Sequence, residues 1–151
     1  MLQRIQSVYL FIVTVLLMTC MFLSTGYFST DAGVHQMVFK ALGVTVPDQP
    51  FQSTWGLFVL LLLSSIISFI TIFLYKNRPL QIRLSIFNAI ILVGYYCVLG
   101  FFIWKLKAAL NAEFFMNWAI CLPAVALILD ILAIRAIGKD EVMVRASDRI
   151  R

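Results

Sequence analysis

One carboxylate in this chain lies inside an apolar run. Asp130 sits in CLPAVALILDILAIRAIGK, residues 121–139, where every neighbour for several residues on either side is apolar. Placing an acid at the centre of a membrane span costs about 2.5–3.5 kcal/mol on insertion scales, and less nearer the interface. Such a group therefore faces a protein interior or a partner, and the chemistry open to it is pairing, proton exchange or ligand binding. Gln6, Ser7 and Asn88 lie at a comparable level in their own apolar runs, and Arg4, Arg83 and Arg135 are close enough in level to supply a counter-charge. We expect an intramembrane polar cluster of Asp130, Asn88, Gln6 and Arg4, with Asp130 paired to Arg4, Asn88 or Arg83.

Little else in the chain has the spacing of a reactive site. Cys20, Cys97 and Cys121 are odd in number, lie in apolar runs and form no CxxC, so neither a disulfide framework nor a zinc site is expected. His35 is the single histidine and cannot make a bis-histidine haem site. No Ser, Cys, His or acid pair is poised at one interface, so a catalytic role is not indicated and no cofactor or metal is expected. The net charge of +5 does not point to nucleic acid, because the Lys and Arg are scattered and bracket apolar runs.

The elements that would position Asp130 follow from composition. The chain has 151 residues, 62% of them hydrophobic and only 13% charged, well below the roughly 25% charged of soluble domains. Four apolar stretches, about Ile5–Phe28, Ser53–Tyr75, Leu84–Trp104 and Phe114–Ile137, each reach the ~20 residues that cross a bilayer core as a helix. The expected fold is an all-α, four-helix transmembrane bundle in one domain, with a tail at 138–151. Nine basic residues (Arg4, Lys76, Arg78, Arg83, Arg135, Lys139, Arg145, Arg149 and Arg151) fall on one side, against Lys40, Lys105 and Lys107 on the other. The positive-inside rule then puts both termini in the cytoplasm. Trp55, Trp104 and Trp118 fall at the expected outer ends, with Tyr9 and Tyr75 near the inner ends. The first run is longer than a signal-peptide core, and Thr19 is a poor residue before a lipoprotein cysteine, so we expect the first span to be retained.

Between the first two spans, HQMVFKAL could form a short interfacial helix, with Met37, Val38, Ala41 and Leu42 turned to lipid or bundle. The short KNRPLQIR loop predicts an antiparallel hairpin of the second and third spans, and a second short loop pairs the third with the fourth. Ser64 and Ser68 have the small-xxx-small spacing of close helix packing, and Gly94 and Gly100 narrow the third helix. Pro123 is expected to bend the fourth helix and free the carbonyl four residues earlier.

Seven of the thirteen tail residues, KDEVMVRASDRIR, are charged. Read as an amphipathic helix, the tail puts Val142, Met143, Ala146 and Ile150 on one face, and Gly138 is a natural break before it. Asp140 or Glu141 is expected to pair with Arg4, Arg78 or Arg83. LQRIQSVYL, KNRPLQIRL and this tail resemble, over essentially the whole chain, a bacterial integral-membrane family of unknown function with four spans. The resemblance implies a bacterial inner-membrane protein and brings no activity or site residues with it. The expected function is that of a non-enzymatic scaffold or accessory subunit with a protein partner in the membrane or cytoplasm. Its interaction face would be Arg78, Gln81, Arg83, Asp140, Glu141, Arg145, Asp148 and Arg149, on the cytoplasmic side with Gln3, Arg4 and Gln6. A small oligomeric transporter or channel using Asp130 is the alternative, and homo-oligomerisation stays open.

Overall fold

A computed structural model describes residues 2–29, 37–45, 52–75 and 77–148, the side chains of residues 2–4, 52, 110, 145 and 148 aside. Four helices cross in alternating directions: α1 (Leu2–Phe22), α2 (Trp55–Phe73), α3 (Arg78–Leu110) and α4 (Leu122–Asp148). Each packs on the next, and α4 closes the ring against α1. All four are long and apolar enough to cross a membrane, which fits a multi-pass membrane protein. The start of α1, the α2–α3 turn and the end of α4 share one end of the bundle, called here the termini end.

The opposite end carries a feature that the all-α expectation lacks. Among the described residues, five short strands form one antiparallel sheet in the order β4-β3-β2-β1-β5. Four of them connect α1 to α2: β1 (Ser24–Ser29), β2 (Met37–Lys40), β3 (Gly43–Val44) and β4 (Gln52–Ser53); β5 (Glu113–Met116) lies between α3 and α4. The expected first and fourth spans are corrected accordingly. α1 stops at Phe22, and residues 24–28 are strand; residues 114–116 are strand, and α4 begins at Leu122 after a 3-10 turn at Trp118–Cys121. The expected interfacial helix is corrected too. Met37–Lys40 is a strand that buries Met37 and Phe39 and exposes Val38 and Lys40, the period-two pattern of a sheet with one covered face. His35 lies outside the described residues.

Aromatic packing explains the strand choice. Phe28, Phe39 and Phe114, from β1, β2 and β5, meet with centroids 4.9–6.0 Å apart on the buried face. Tyr27 stacks on its cross-strand neighbour Phe115 at 5.3 Å. Such cross-strand pairs are the unit of sheet stabilisation. Gly26 makes the approach feasible, since a Cβ there would lie 2.5 Å from the Phe114 ring and 2.6 Å from the Phe115 carbonyl oxygen. Asn117 ties the sheet to the bundle: its Nδ2 donates to the Ser24 carbonyl at 3.1 Å, and its Oδ1 accepts from the Trp118 N–H at 2.8 Å. Thr54 does likewise for α2, its hydroxyl donating to the Ala41 carbonyl at 3.2 Å.

Pro123 does not bend α4. It occupies the first turn, where a helix needs no N–H donor. Nor does Gly138 break the helix, because α4 runs through it to Asp148, so the tail is a continuation of α4. α3 is ~50 Å long at 1.5 Å per residue, longer than a bilayer core, and ends at Asn111 in the left-handed conformation (φ 45°). Trp55, Trp104 and Trp118 all stand exposed near the sheet end, as interfacial rings do.

Candidate functional site

The bundle interior is divided by polarity along its axis. The buried positions of α4 and of the 3-10 turn before it are Ala119, Pro123, Ala126, Asp130, Ala133 and Ile137, spaced alternately by four and three. Between Gln81 and Leu99 the buried α3 positions, Gln81, Ser85, Asn88, Leu92, Tyr95 and Leu99, follow the same rule. This 3.5-residue repeat is the seam of helices packed side by side at a small angle. Towards the sheet the seams are apolar, and Leu17, Leu57, Leu61, Leu92, Tyr95, Leu99 and Ala126 pack with Val13 and Cys20 into one core. Towards the termini they are largely polar: Gln6, Thr14, Ser64, Ser65, Ser68, Thr71, Gln81, Ser85, Asn88 and Asp130 are all buried, with Leu10, Ala133 and Ile137 the apolar residues among them.

Asp130 is 0% exposed and lies on that polar seam. Asn88 is its partner, donating from Nδ2 to Asp130 Oδ2 at 3.2 Å. The other end of the Asn88 amide, Oδ1, accepts from the Ser64 hydroxyl at 2.6 Å. A chain of hydrogen bonds thus joins α2, α3 and α4 through one side chain from each. A second link joins α1 to α2, the Thr14 hydroxyl donating to Ser68 Oγ and Ser68 to the Leu10 carbonyl, each at 3.1 Å. Among the described residues of this cluster, two buried atoms make no hydrogen bond, Asp130 Oδ1 and the Ser85 hydroxyl, although the hydroxyl lies close enough to the carboxyl to interact with it. The arrangement fixes helix register, because any axial slip of α3 or α4 breaks the Ser64–Asn88–Asp130 chain.

Of the four residues expected in this cluster, Asn88 and Asp130 come together. Gln6 is buried, but its Nε2 donates at 3.1 Å to the Ala136 carbonyl, about a turn and a half from Asp130 along α4. The Arg4 side chain lies outside the described residues. Ser64 and Ser85 belong with Asp130, although sequence reasoning took Ser64 only as a packing residue and passed over Ser85. The signal was available in the seven-residue spacing, which puts Ser85, Asn88 and Leu92 on one line.

At the termini end, Arg78 and Asp140 form an ion pair, Nη2 to Oδ2 at 3.3 Å, and Arg78 Nη1 donates to the Asp140 carbonyl at 3.4 Å. This pins α4 to the α2–α3 turn. Arg83 is exposed, but Gln81 is only 2% exposed and leaves the expected surface face. The correction has a simple cause: Gln81 opens the α3 seam one turn before Ser85. Arg145 and Asp148 are placed by their helix alone, and Arg149 lies outside the described residues. Beyond the ion pair, Val142 and Met143 are 68% and 63% exposed. Among the described residues no three His, Cys, Asp or Glu come together as metal ligands.

Residues 2–150 match the family model described as a domain of unknown function, DUF4293. The chain belongs to the DUF4293 family. A search of the curated proteins finds no match. The matched residues take in every element from α1 to α4, so the sheet, the polar half-core and the α4 extension all lie within the family's own span.

Proposed function

We propose that this DUF4293 protein is an accessory subunit of a bacterial inner membrane, with both termini in the cytoplasm, whose termini-end face docks a protein partner without chemistry of its own. The observation that carries this reading is the extension of α4. The helix continues unbroken for ten residues past Gly138, is held against the α2–α3 turn by Arg78–Asp140, and presents Val142, Met143 and Val144 exposed. Val142 and Val144, exposed among charges of both signs, suit a protein surface, while Met143 lies beside α1. The tail's four basic and three acidic residues match a polybasic lipid anchor poorly. The nine-to-three distribution of basic residues supports the cytoplasmic assignment of this end.

A transport role has one observation in its favour, the unpartnered Asp130 Oδ1 beside Ser85. Against it stands the apolar core between that site and the sheet, with Leu57, Leu61 and Leu92 fully buried. The accessory reading is tested by purification from native membranes in mild detergent. The wild-type chain should bring down a protein at fixed stoichiometry, and a Val142→Glu/Val144→Glu variant that inserts and folds normally should lose it. Retention of that protein by the variant, or none with wild type, contradicts the reading.

A further inference from the structure

The outer surface of the bundle has a groove of about 360 Å³ where α1 and α4 meet near the termini end. Its α4 wall is a single stripe, Leu132, Arg135, Ala136, Lys139 and Met143, and its α1 wall is Ile5 and Tyr9. Two things about this lining call for an occupant. First, Arg135 and Lys139 are one turn apart on the same stripe, a like-charge pair that destabilises a helix when left uncompensated. Second, among the described residues no lining residue is acidic, and the neighbouring Asp140 is held by Arg78 on the α3 side. The helix dipole does not account for the pair, because α4 continues about nine residues past Lys139, beyond the reach of its C-terminal charge.

The groove's level identifies the missing anion. Counting ~20 residues of bilayer core from the exposed Trp118 brings α4 to Ile137, so Arg135 and Lys139 straddle the boundary between hydrocarbon and headgroups. On the hydrocarbon side the two walls continue, one turn on, into the exposed apolar side chains of Ile12 of α1 and Ile128 of α4. A free anion would satisfy the cations and leave this apolar continuation unused. A second groove between α3 and α4, lined by Ile86, Ile90, Val93, Leu127 and Ile131 among others, has no polar lining and suits acyl chains of any lipid.

We propose that the α1–α4 groove binds one anionic phospholipid, its phosphate between Arg135 and Lys139, its headgroup beside Tyr9 and its acyl chains along α1 and α4. The inference is independent of partner docking by the tail. Juxtamembrane cations each contribute about fivefold to anionic-lipid binding, so two give a preference of about 30-fold.

The test uses the full chain, delipidated in neutral detergent and titrated with short-chain phosphatidylglycerol or phosphatidylcholine while native mass spectrometry counts bound lipid. The expected result is one phosphatidylglycerol retained at roughly 30-fold preference, lost in Arg135→Gln/Lys139→Gln and kept in Lys105→Gln/Lys107→Gln. The Gln substitutions are on exposed positions, and circular dichroism checks that the helices persist. Three results overturn the proposal: no preference in wild type, a preference that survives Arg135→Gln/Lys139→Gln, or equal loss in the Lys105/Lys107 control, which would reduce it to net charge. Displacement of the lipid by millimolar inorganic phosphate would equally overturn it, by making the site one for free anions.

Discussion

Removing the Asn88 side chain should damage the bundle more than removing the carboxylate it serves. Asn88→Ala breaks two hydrogen bonds, from Ser64 at 2.6 Å and to Asp130 at 3.2 Å, and leaves a buried hydroxyl and a buried carboxyl oxygen unpartnered. Hydrogen bonds between membrane helices average about 0.6 kcal/mol, because the separated helices also find partners, so the floor is about 1 kcal/mol. Each buried polar group left unsatisfied costs about 1–3 kcal/mol, which lifts the expected loss to about 2–3 kcal/mol. Asp130→Ala breaks one of the two bonds and also removes the already unpartnered Oδ1, so about 1–2 kcal/mol is expected. In the double variant only the Ser64 hydroxyl is stranded. Its cost should fall short of the sum of the singles by about 1 kcal/mol. The assay is reversible unfolding of purified protein in mixed micelles, read by circular dichroism. Additive losses, or an Asn88→Ala variant as stable as wild type, would refute the view that one connected chain sets the helix register.

Three further outcomes follow from particular contacts. Gly26→Ala puts a methyl against the Phe115 carbonyl, which no side-chain rotation relieves, so the β1–β5 pairing should yield at a cost of about 1–3 kcal/mol, seen as a lower melting midpoint. Gly138→Ala meets open space within a continuous helix and should instead stabilise by about 0.5–1 kcal/mol in the same assay. Arg78→Ala removes a mostly buried ion pair, its side chains 23% and 13% exposed, and strands the Asp140 carboxylate, so a loss of about 1–3 kcal/mol is expected, while hydrogen exchange in α4 beyond Asp140 rises as the helix end loosens.

The parts of this fold that were legible in the sequence are those governed by local rules. Apolar length announces four spans, because lipid leaves a helix as the economical way to satisfy a backbone. A lone Asp in such a span has few partners at its level, and Asn88 was among those named. The Arg78–Asp140 pair was also within reach, since the α2–α3 turn and the α4 end must share a face. The sheet was not legible. Phe28, Phe114 and Phe115 raise a hydropathy sum whether they face lipid or a neighbouring strand, so they lengthened the expected spans. β3 and β4 are two residues each and exist only through pairing with partners distant in sequence. Gln81 misled for a related reason: a glutamine beside a basic loop looks solvated until the α3 seam is followed back through Asn88 and Ser85.

The central claim, a partner docked on the α4 extension, is tested most directly by a photo-crosslinking residue at Val142 in intact cells, with Ile90 as the lipid-facing control. The account predicts one discrete protein adduct from Val142, its mass differing from twice that of this chain, abolished by Val144→Glu and missing from Ile90. No protein adduct at Val142, an adduct of two copies of this chain alone, or an identical adduct from Ile90 would contradict it.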